Sequence, residues 1–345
     1  MKKIMGVGLI FVAVVLVIPS LLVLGFSEEE PGFSSNHQGN EKAEKAMIQM
    51  LEEEETIAVY RTATSTVEEV PLEDYIVGVV AAEMPAEFEL EALKAQALTA
   101  RTYIINFMSL ALDNDMRVPA GADIKDTVEH QVYYNDEELR ERWENYDWKI
   151  ARIKQAVYET SGQIITHNGS PITATFFSTS NGYTENSEEY WSDEIAYLRG
   201  VESPWDVHSP RYEDEVHMTV AEFEEKLGVS IGEGSPAEIV SRSSGGRVAE
   251  VNIGGKTFTG REVREEYLDL RSSDFTIERN GDTIIIKTTG YGHGVGMSQY
   301  GANGMAQEGY SYEDIIHHYY HSVEIEDAGK VLGSISAQKN RNENS

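Results

Sequence analysis

Between Leu72 and Phe107 the apolar positions recur at helical spacing, with one break. Leu72, Ile76, Val79 and Val80 lie three and four residues apart and form one stripe, which predicts a short first helix. Pro85 biases Met84 away from α geometry, so that helix is expected to end there. A longer second helix follows, with Leu90, Leu93, Ala97, Ala100 and Ile104 on its apolar side. Its alanines, Ala92 and Ala95 among them, leave room for another element to come close. Upstream, Ile57 to Tyr60 and Thr64 to Val70 read as paired strands. Downstream, Leu139, Ile150, Ile153 and Val157 predict a helix from Asp136 to Tyr158, interrupted near Asn145.

A hairpin is expected around Asn168-Gly169, joining Ile164 to His167 with Ile172 to Phe177, and it exits into a hydroxyl-rich loop from Ser178 to Glu185. A strand from Glu213 to Val220 and a helix from Ala221 to Leu227 come next, then a linker-like stretch from Gly232 to Pro236. From about 237 to 289 five strands and one helix, near Arg261 to Leu268, predict a β-rich second lobe, with turns at Gly254-Gly255 and Asn280-Gly281. The expected fold class is therefore α+β, with helical and β-rich lobes forming a long substrate cleft.

Ile4 to Phe26 is an almost unbroken apolar run of 23 residues, preceded by Lys2 and Lys3 and followed by Glu28, Glu29 and Glu30. That length crosses a bilayer, and the lysines place the N-terminus in the cytoplasm with the remainder outside. No small-x-small cleavage site adjoins the run, so an uncleaved transmembrane anchor is expected over a secretory peptide. A polar tether, 27 to 55, would follow. Against 28 basic residues the chain has 59 acidic ones, a formal charge of −31, which argues against a nucleic-acid partner. With no cysteine there are no disulfides, no thiolate chemistry and no sulfur-ligated metal.

Glu83 interrupts the apolar pattern of the first helix. It falls on the apolar stripe of the first helix, seven residues past Ile76, in the last turn. A carboxyl there gains nothing from the helix dipole, and burial disfavours its charge, so its pKa should rise toward the range a general acid needs. Lys94 and Arg101 share one side of the second helix, and spacing alone leaves open whether they border Glu83, pair with it, or pair elsewhere. The run Gly290-Tyr291-Gly292-His293-Gly294-Val295-Gly296 permits tight turns and close backbone approach, but it lacks the ending of a phosphate-binding loop and has no βαβ unit around it. His293 is thus a hydrogen-bonding candidate, and Ser298 a cap for the helix reaching Gln307. Trp191 and the segment from Val201 to Trp205 either pack a lobe or face a sugar. His317, His318 and His321 point in different directions along an aromatic helix, so packing accounts for them.

The segments AAEMP (Ala81 to Pro85), ALKAQALTARTY (Ala92 to Tyr103), FFSTSNGYTE (Phe176 to Glu185) and GYGHGVGMSQYGANGMA (Gly290 to Ala306) closely resemble the sporulation-protein and amidase-enhancer family, SpoIID/LytB. The resemblance spans roughly Thr56 to Val323, which it implies to be a catalytic domain, leaving 324 to 345 as a polar tail. It implies a peptidoglycan lytic transglycosylase, cutting the β-1,4 bond between N-acetylmuramic acid and N-acetylglucosamine and leaving 1,6-anhydromuramoyl ends. Glu83 matches the family's catalytic glutamate, and Lys94 and Arg101 its basic positions. Ser178, Thr179, Ser180 and Tyr183, with His293, Ser298 and Gln299, are further candidates for substrate contact. The resemblance also implies peptide-denuded glycan as substrate, action in engulfment, and SpoIIP and SpoIIM as partners. The alternative within the family is a non-catalytic wall-binding activator of an amidase. Some relatives hold zinc through cysteines absent here, and neither metal nor cofactor is assigned.

Overall fold

The computed structural model describes residues 55–111 and 118–343. The expected membrane anchor and nearly all of the tether lie outside these residues; no helix among those described is long and apolar enough to cross a membrane. The architecture is α+β, with several small sheets and two hydrophobic cores.

The helical lobe begins with an antiparallel hairpin, β1 (Thr56–Arg61) and β2 (Thr66–Pro71), to which β3 (Ile124–Lys125) adds in parallel. α1 (Leu72–Glu83) leaves this hairpin with Glu73 and Asp74 in its first turn, where the helix dipole favours negative charge. Met84 is extended, as the residue before Pro85 should be. α2 (Leu90–Ala111) is the axis of the lobe, with 14 of its 22 residues buried. A single apolar stripe was expected, yet polar Gln96, Thr99, Arg101 and Thr102 are buried as well. The reason is that α1, α4 (Tyr146–Glu159), β4 (Gln163–His167) and the C-terminal helices pack on several of its faces. α3 (Asp136–Arg142) precedes α4, and the break between them falls where expected, at extended Trp143 and left-handed Asn145.

Arg101 fixes how these elements meet. It is completely buried, donates to both carboxylate oxygens of Glu73 on α1, and gives its remaining bonds to the carbonyls of Val157 and Gln163. Gly78 sets a second constraint. A Cβ there would lie 2.3 Å from the Tyr133 ring and 2.5 Å from the Tyr134 carbonyl oxygen, so the absence of a side chain lets the segment around Val132 run against α1.

Past β4 and its short partner β5 (Ser170–Pro171), the expected strand from Ile172 to Phe177 is largely absent. Only β6 (Phe176–Phe177) is paired, in parallel with β13 (Met297–Ser298), a partner some 120 residues away that local alternation does not encode. α5 (Glu188–Trp191) and a 3-10 turn (Pro204–His208) lead to the second lobe. That lobe starts at β7 (Glu213–Thr219), not near 237, because β7 pairs along β12 (Thr283–Thr289), which in turn pairs with β11 (Phe275–Asn280). A second sheet, β8 (Ala237–Arg242), β9 (Val248–Ile253) and β10 (Lys256–Thr259), packs with α6 (Val220–Leu227) and a helical segment, α7 (Gly260–Glu262), that continues as a π turn to Leu268. The core here is separate: Phe223, Val251, Ile253, Val263, Ile284 and Ile286. A buried ion pair, Glu185 to Arg247 at 3.0 Å with 2% and 3% side-chain exposure, fastens it to the first lobe.

The chain then returns through α8 (Gln299–Gln307) and α9 (Tyr312–Tyr319). The expected polar tail instead forms β14 (Glu324–Asp327), paired with β4, and α10 (Gly329–Glu343), which rests on α2. Ile325 and Ile335 supply the apolar contacts that composition alone hid.

Two stability measurements check this account. Arg101→Met, which strands Glu73 and two carbonyls, is expected to lower unfolding free energy by about 3–5 kcal/mol in chemical denaturation. Gly78→Ala would stabilise an exposed helix by up to about 1 kcal/mol. Here it is expected to destabilise by about 1–3 kcal/mol, since the backbone at Tyr134 has to move.

Candidate active site

Glu83 ends α1 at the wall of a cavity of about 660 Å³ between the two lobes. The main chain around it is held from three sides. Gln299 Nε2 donates to the Glu83 carbonyl at 3.1 Å, and Arg152 donates to the carbonyls of Ala86 and Phe88 in the loop that follows. Asn303 accepts from Glu89 N–H at 2.8 Å. The Glu83 carboxyl accepts a hydrogen bond from the Val132 backbone, but desolvation outweighs it and pushes the pKa up to about 7. Gln131, beside Val132, is anchored between Tyr75 and the Ala100 carbonyl. Glu83 is therefore a fixed carboxyl, half protonated near neutral pH, facing a cavity.

The same cavity is lined by aromatic rings. The His293 ring packs 5.2 Å from Trp191, 5.8 Å from Tyr190 and 5.6 Å from Phe177. Its Nδ1 accepts from Val295 N–H, and the ring also interacts with the Phe176 backbone. Burial, with the nearby Arg264 charge, pushes its pKa down to about 4. His293 is therefore a neutral wall residue near neutral pH. The glycines around it are in left-handed geometry, and Gly294 is required: at φ +89° a Cβ would meet the Arg247 guanidinium at 2.5 Å.

Ser178, His293 and Gln299 reach the cavity together with Glu83, but the other expected contacts do not. Lys94 pairs with Glu91 and Glu159, each at 2.8 Å, away from the cavity lining. Arg101 is consumed inside the lobe. The second helix turns both cations toward neighbouring helices, a choice that helical spacing could not make. Ser180 and Ser298 point into the protein, where both donate to Asp206, with Ser203 as a further donor. Thr179 faces Ser209 at 2.9 Å. These hydroxyls hold the loops that form the wall rather than lining it. Tyr183 lies at the surface against Glu202.

Asp206 and the cavity arginines escaped the sequence reading. Asp206 is fully buried and joins the serine loop, the 3-10 turn and the cap of α8. Burial raises its pKa, opposed by those hydrogen bonds. Arg211, Arg261 and Arg264 line the cavity with Glu265. Arg261 donates to Glu265 at 2.9 Å, and Arg264 donates to both Glu265 and the Tyr190 hydroxyl. Burial opposes these bonds, yet the Glu265 pKa is lowered overall. A signal existed for Trp191, whose aromatic surroundings fit a sugar-facing wall, but none singled out arginines scattered over 54 positions. Among the described residues no group of three or more His, Asp or Glu is placed to hold a metal.

The serine loop, the glycine-rich turn and the glutamate before Met-Pro thus meet around one cleft. The family described as Stage II sporulation protein, SpoIID, matches residues 60–167. Stage II sporulation protein D of Bacillus subtilis (strain 168) is 46% identical over 334 residues, covering 95% of this chain and 96% of that protein. The Bacillus amyloliquefaciens protein of the same name is 46% identical over 94% of this chain and 96% of its own length. The amidase enhancer of Bacillus subtilis is 28% identical over 297 residues, 70% of this chain and 39% of that protein. The chain belongs to the stage II sporulation protein D family.

Proposed function

We propose that this protein acts on the cell wall during sporulation as a peptidoglycan lytic transglycosylase. In this reading it cleaves the MurNAc-β-1,4-GlcNAc bond and leaves 1,6-anhydromuramoyl ends. The observation that carries the reading is Glu83, a carboxyl with its pKa pushed up to about 7 at the wall of a cavity of about 660 Å³. A hydrolytic glycosidase needs an acid and a second carboxylate. A lytic enzyme can dispense with the second, because the C6 hydroxyl of the muramoyl sugar attacks C1 of its own ring. Protonated Glu83 gives its proton to the glycosidic oxygen as the C1–O4 bond breaks. The resulting carboxylate then takes the proton of the C6 hydroxyl as the C1–O6 bond forms, returning the acid to its starting state.

The carboxylates that could serve a hydrolase are held in ion pairs. Glu185 is buried against Arg247 and Ser243, Glu87 pairs with Lys149, and Glu265 lines the cavity but is tied to two arginines and Tyr190. The second reading, a non-catalytic activator of an amidase, draws on the amidase-enhancer relative. A membrane tether through Ile4 to Phe26 belongs to the proposal on the length of that apolar run and its flanking lysines, and the partners SpoIIP and SpoIIM on the resemblance alone.

Incubating the full chain with peptide-free glycan and weighing the products by mass spectrometry is expected to give anhydromuramoyl ends, reduced about 10²–10⁴-fold by Glu83→Gln. Reducing ends would mean hydrolysis, and no cleavage together with faster amidase turnover would favour the activator. Since the acid form is needed, kcat/KM should be level below about pH 7 and fall about tenfold per unit above it. The same raised pKa has a stability signature. Folded protein binds more protons than unfolded between about pH 4.5 and 7, so Glu83 lowers stability as pH rises through that window. Glu83→Gln should therefore raise Tm at pH 8 relative to the parent by more than it does at pH 4.5, and an equal effect at both would contradict a buried, raised carboxyl.

A further inference from the structure

Arginines gather on one rim of the cleft in a chain whose formal charge is −31. Arg261 and Arg264 reach it from the second lobe, half neutralised by Glu265. Arg211 reaches it from the neck between the lobes, exposed, with its guanidinium 5.3 Å from the Tyr291 ring centre. Arg271 approaches the same ring at 5.7 Å and pairs with Asp214 at 3.3 Å. Among the described residues no carboxylate pairs with Arg211. Its donors are thus available to a ligand, and the flat Tyr291 face steadies the guanidinium without satisfying them. The rest of the wall, Tyr190, Trp191 and His293, offers apolar ring faces of the kind on which sugars stack.

We propose that Arg211, backed by Arg261 and Arg264, forms an anion-reading subsite for the lactyl carboxylate on the muramoyl residue of a glycan strand. The inference rests on the glycan-cleaving reading of this cleft and adds the group by which the strand is recognised. A guanidinium fork matches a carboxylate with two parallel hydrogen bonds, which an uncharged amide cannot reproduce. Glu265 cancels one of the two lobe-arginine charges, and Arg211 adds a second net positive charge that draws in the ligand. The carboxylate of a strand can come from the lactyl ether itself or from an attached stem peptide, whose acids hang several bonds further out. A subsite on the cavity rim that reads the sugar directly selects the first.

The test uses the full chain carrying Glu83→Gln, so that strands are bound and not cut. Affinity is measured for peptide-free glycan strands, for the same strands with lactyl carboxylates converted to methylamides, and for strands that retain their stem peptides. Free-carboxylate strands are expected to bind about tenfold more tightly than the methylamide form. Adding Arg211→Gln should collapse that difference, with the loss falling on the free-carboxylate strands, and Arg211→Lys, which keeps charge and loses the fork, should retain part of it. Arg211 is exposed and outside every ion pair described, so thermal unfolding of both variants should match the parent. Equal affinity for carboxylate and methylamide strands overturns the proposal, as does a difference that survives Arg211→Gln or a loss of both affinities together. An Arg211-dependent preference for peptide-bearing strands overturns the lactyl assignment. Binding is read without cleavage, so the result is independent of whether Glu83 generates anhydro ends.

Discussion

A guanidinium with no solvent exposure has to find all its partners inside the protein, and Arg101 finds them on three different elements. Glu73 belongs to α1, Val157 to α4 and Gln163 to the first strand of the hairpin that follows. Leaving any of these bonds unmade would expose the cost of a buried charge, so the three elements can pack in one arrangement only. Glu73 and Glu83 stand at opposite ends of α1, and fixing the first end of a rigid helix fixes where the second points. The position of the candidate acid is thus set about ten residues from itself, by a cation that touches neither the cleft nor the acid.

Buried polar groups organise the remainder of the site in the same manner. Asp206 accepts from serines of three separate segments and holds the serine loop beside the cap of α8, whose Gln299 then reaches the Glu83 carbonyl. Glu185 and Arg247 fasten the β-rich lobe, and so place Arg261 and Arg264 at the cleft. Each contact is between groups that would be expensive to leave unpaired, which makes the cleft rigid without an apolar interface running across it. Glu83 is the exception: burial raises its pKa into the working range, and the hydrogen bond from the Val132 backbone offsets only part of that.

Charge distribution separates the acidic exterior from the cleft. Cations such as Lys94 are consumed by neighbouring carboxylates, Glu91 and Glu159, while the arginines of the rim face a cavity. An acidic protein can present a cationic site if the cations are drawn from distant parts of the chain, as Arg211, Arg261 and Arg264 are. Net charge informs on partners at long range and says little about the potential inside a groove.

What the sequence determined by itself was local: the two helices split at Met84-Pro85, the break at Asn145, the β-rich lobe and its turns, and the anomaly of an acid on an apolar stripe. Proline geometry, side-chain periodicity and turn chemistry act within a few residues, so a linear reading captures them. Tertiary structure alone decided which polar groups meet. Thr179, Ser180 and Ser298 sit in the right loops yet turn inward, because Ser209 and Asp206 lie behind them. Lys94 and Arg101 share a helix face, yet the neighbours packed on that face, Glu159 and Glu73, consume both. The pairing of Phe176–Phe177 with Met297–Ser298, and with it the meeting of serine loop, glycine turn and Glu83, spans over 100 residues. Hydrogen-bond partners are chosen by where chain-distant donors and acceptors come to rest once water is excluded, and no periodicity in the chain carries that information.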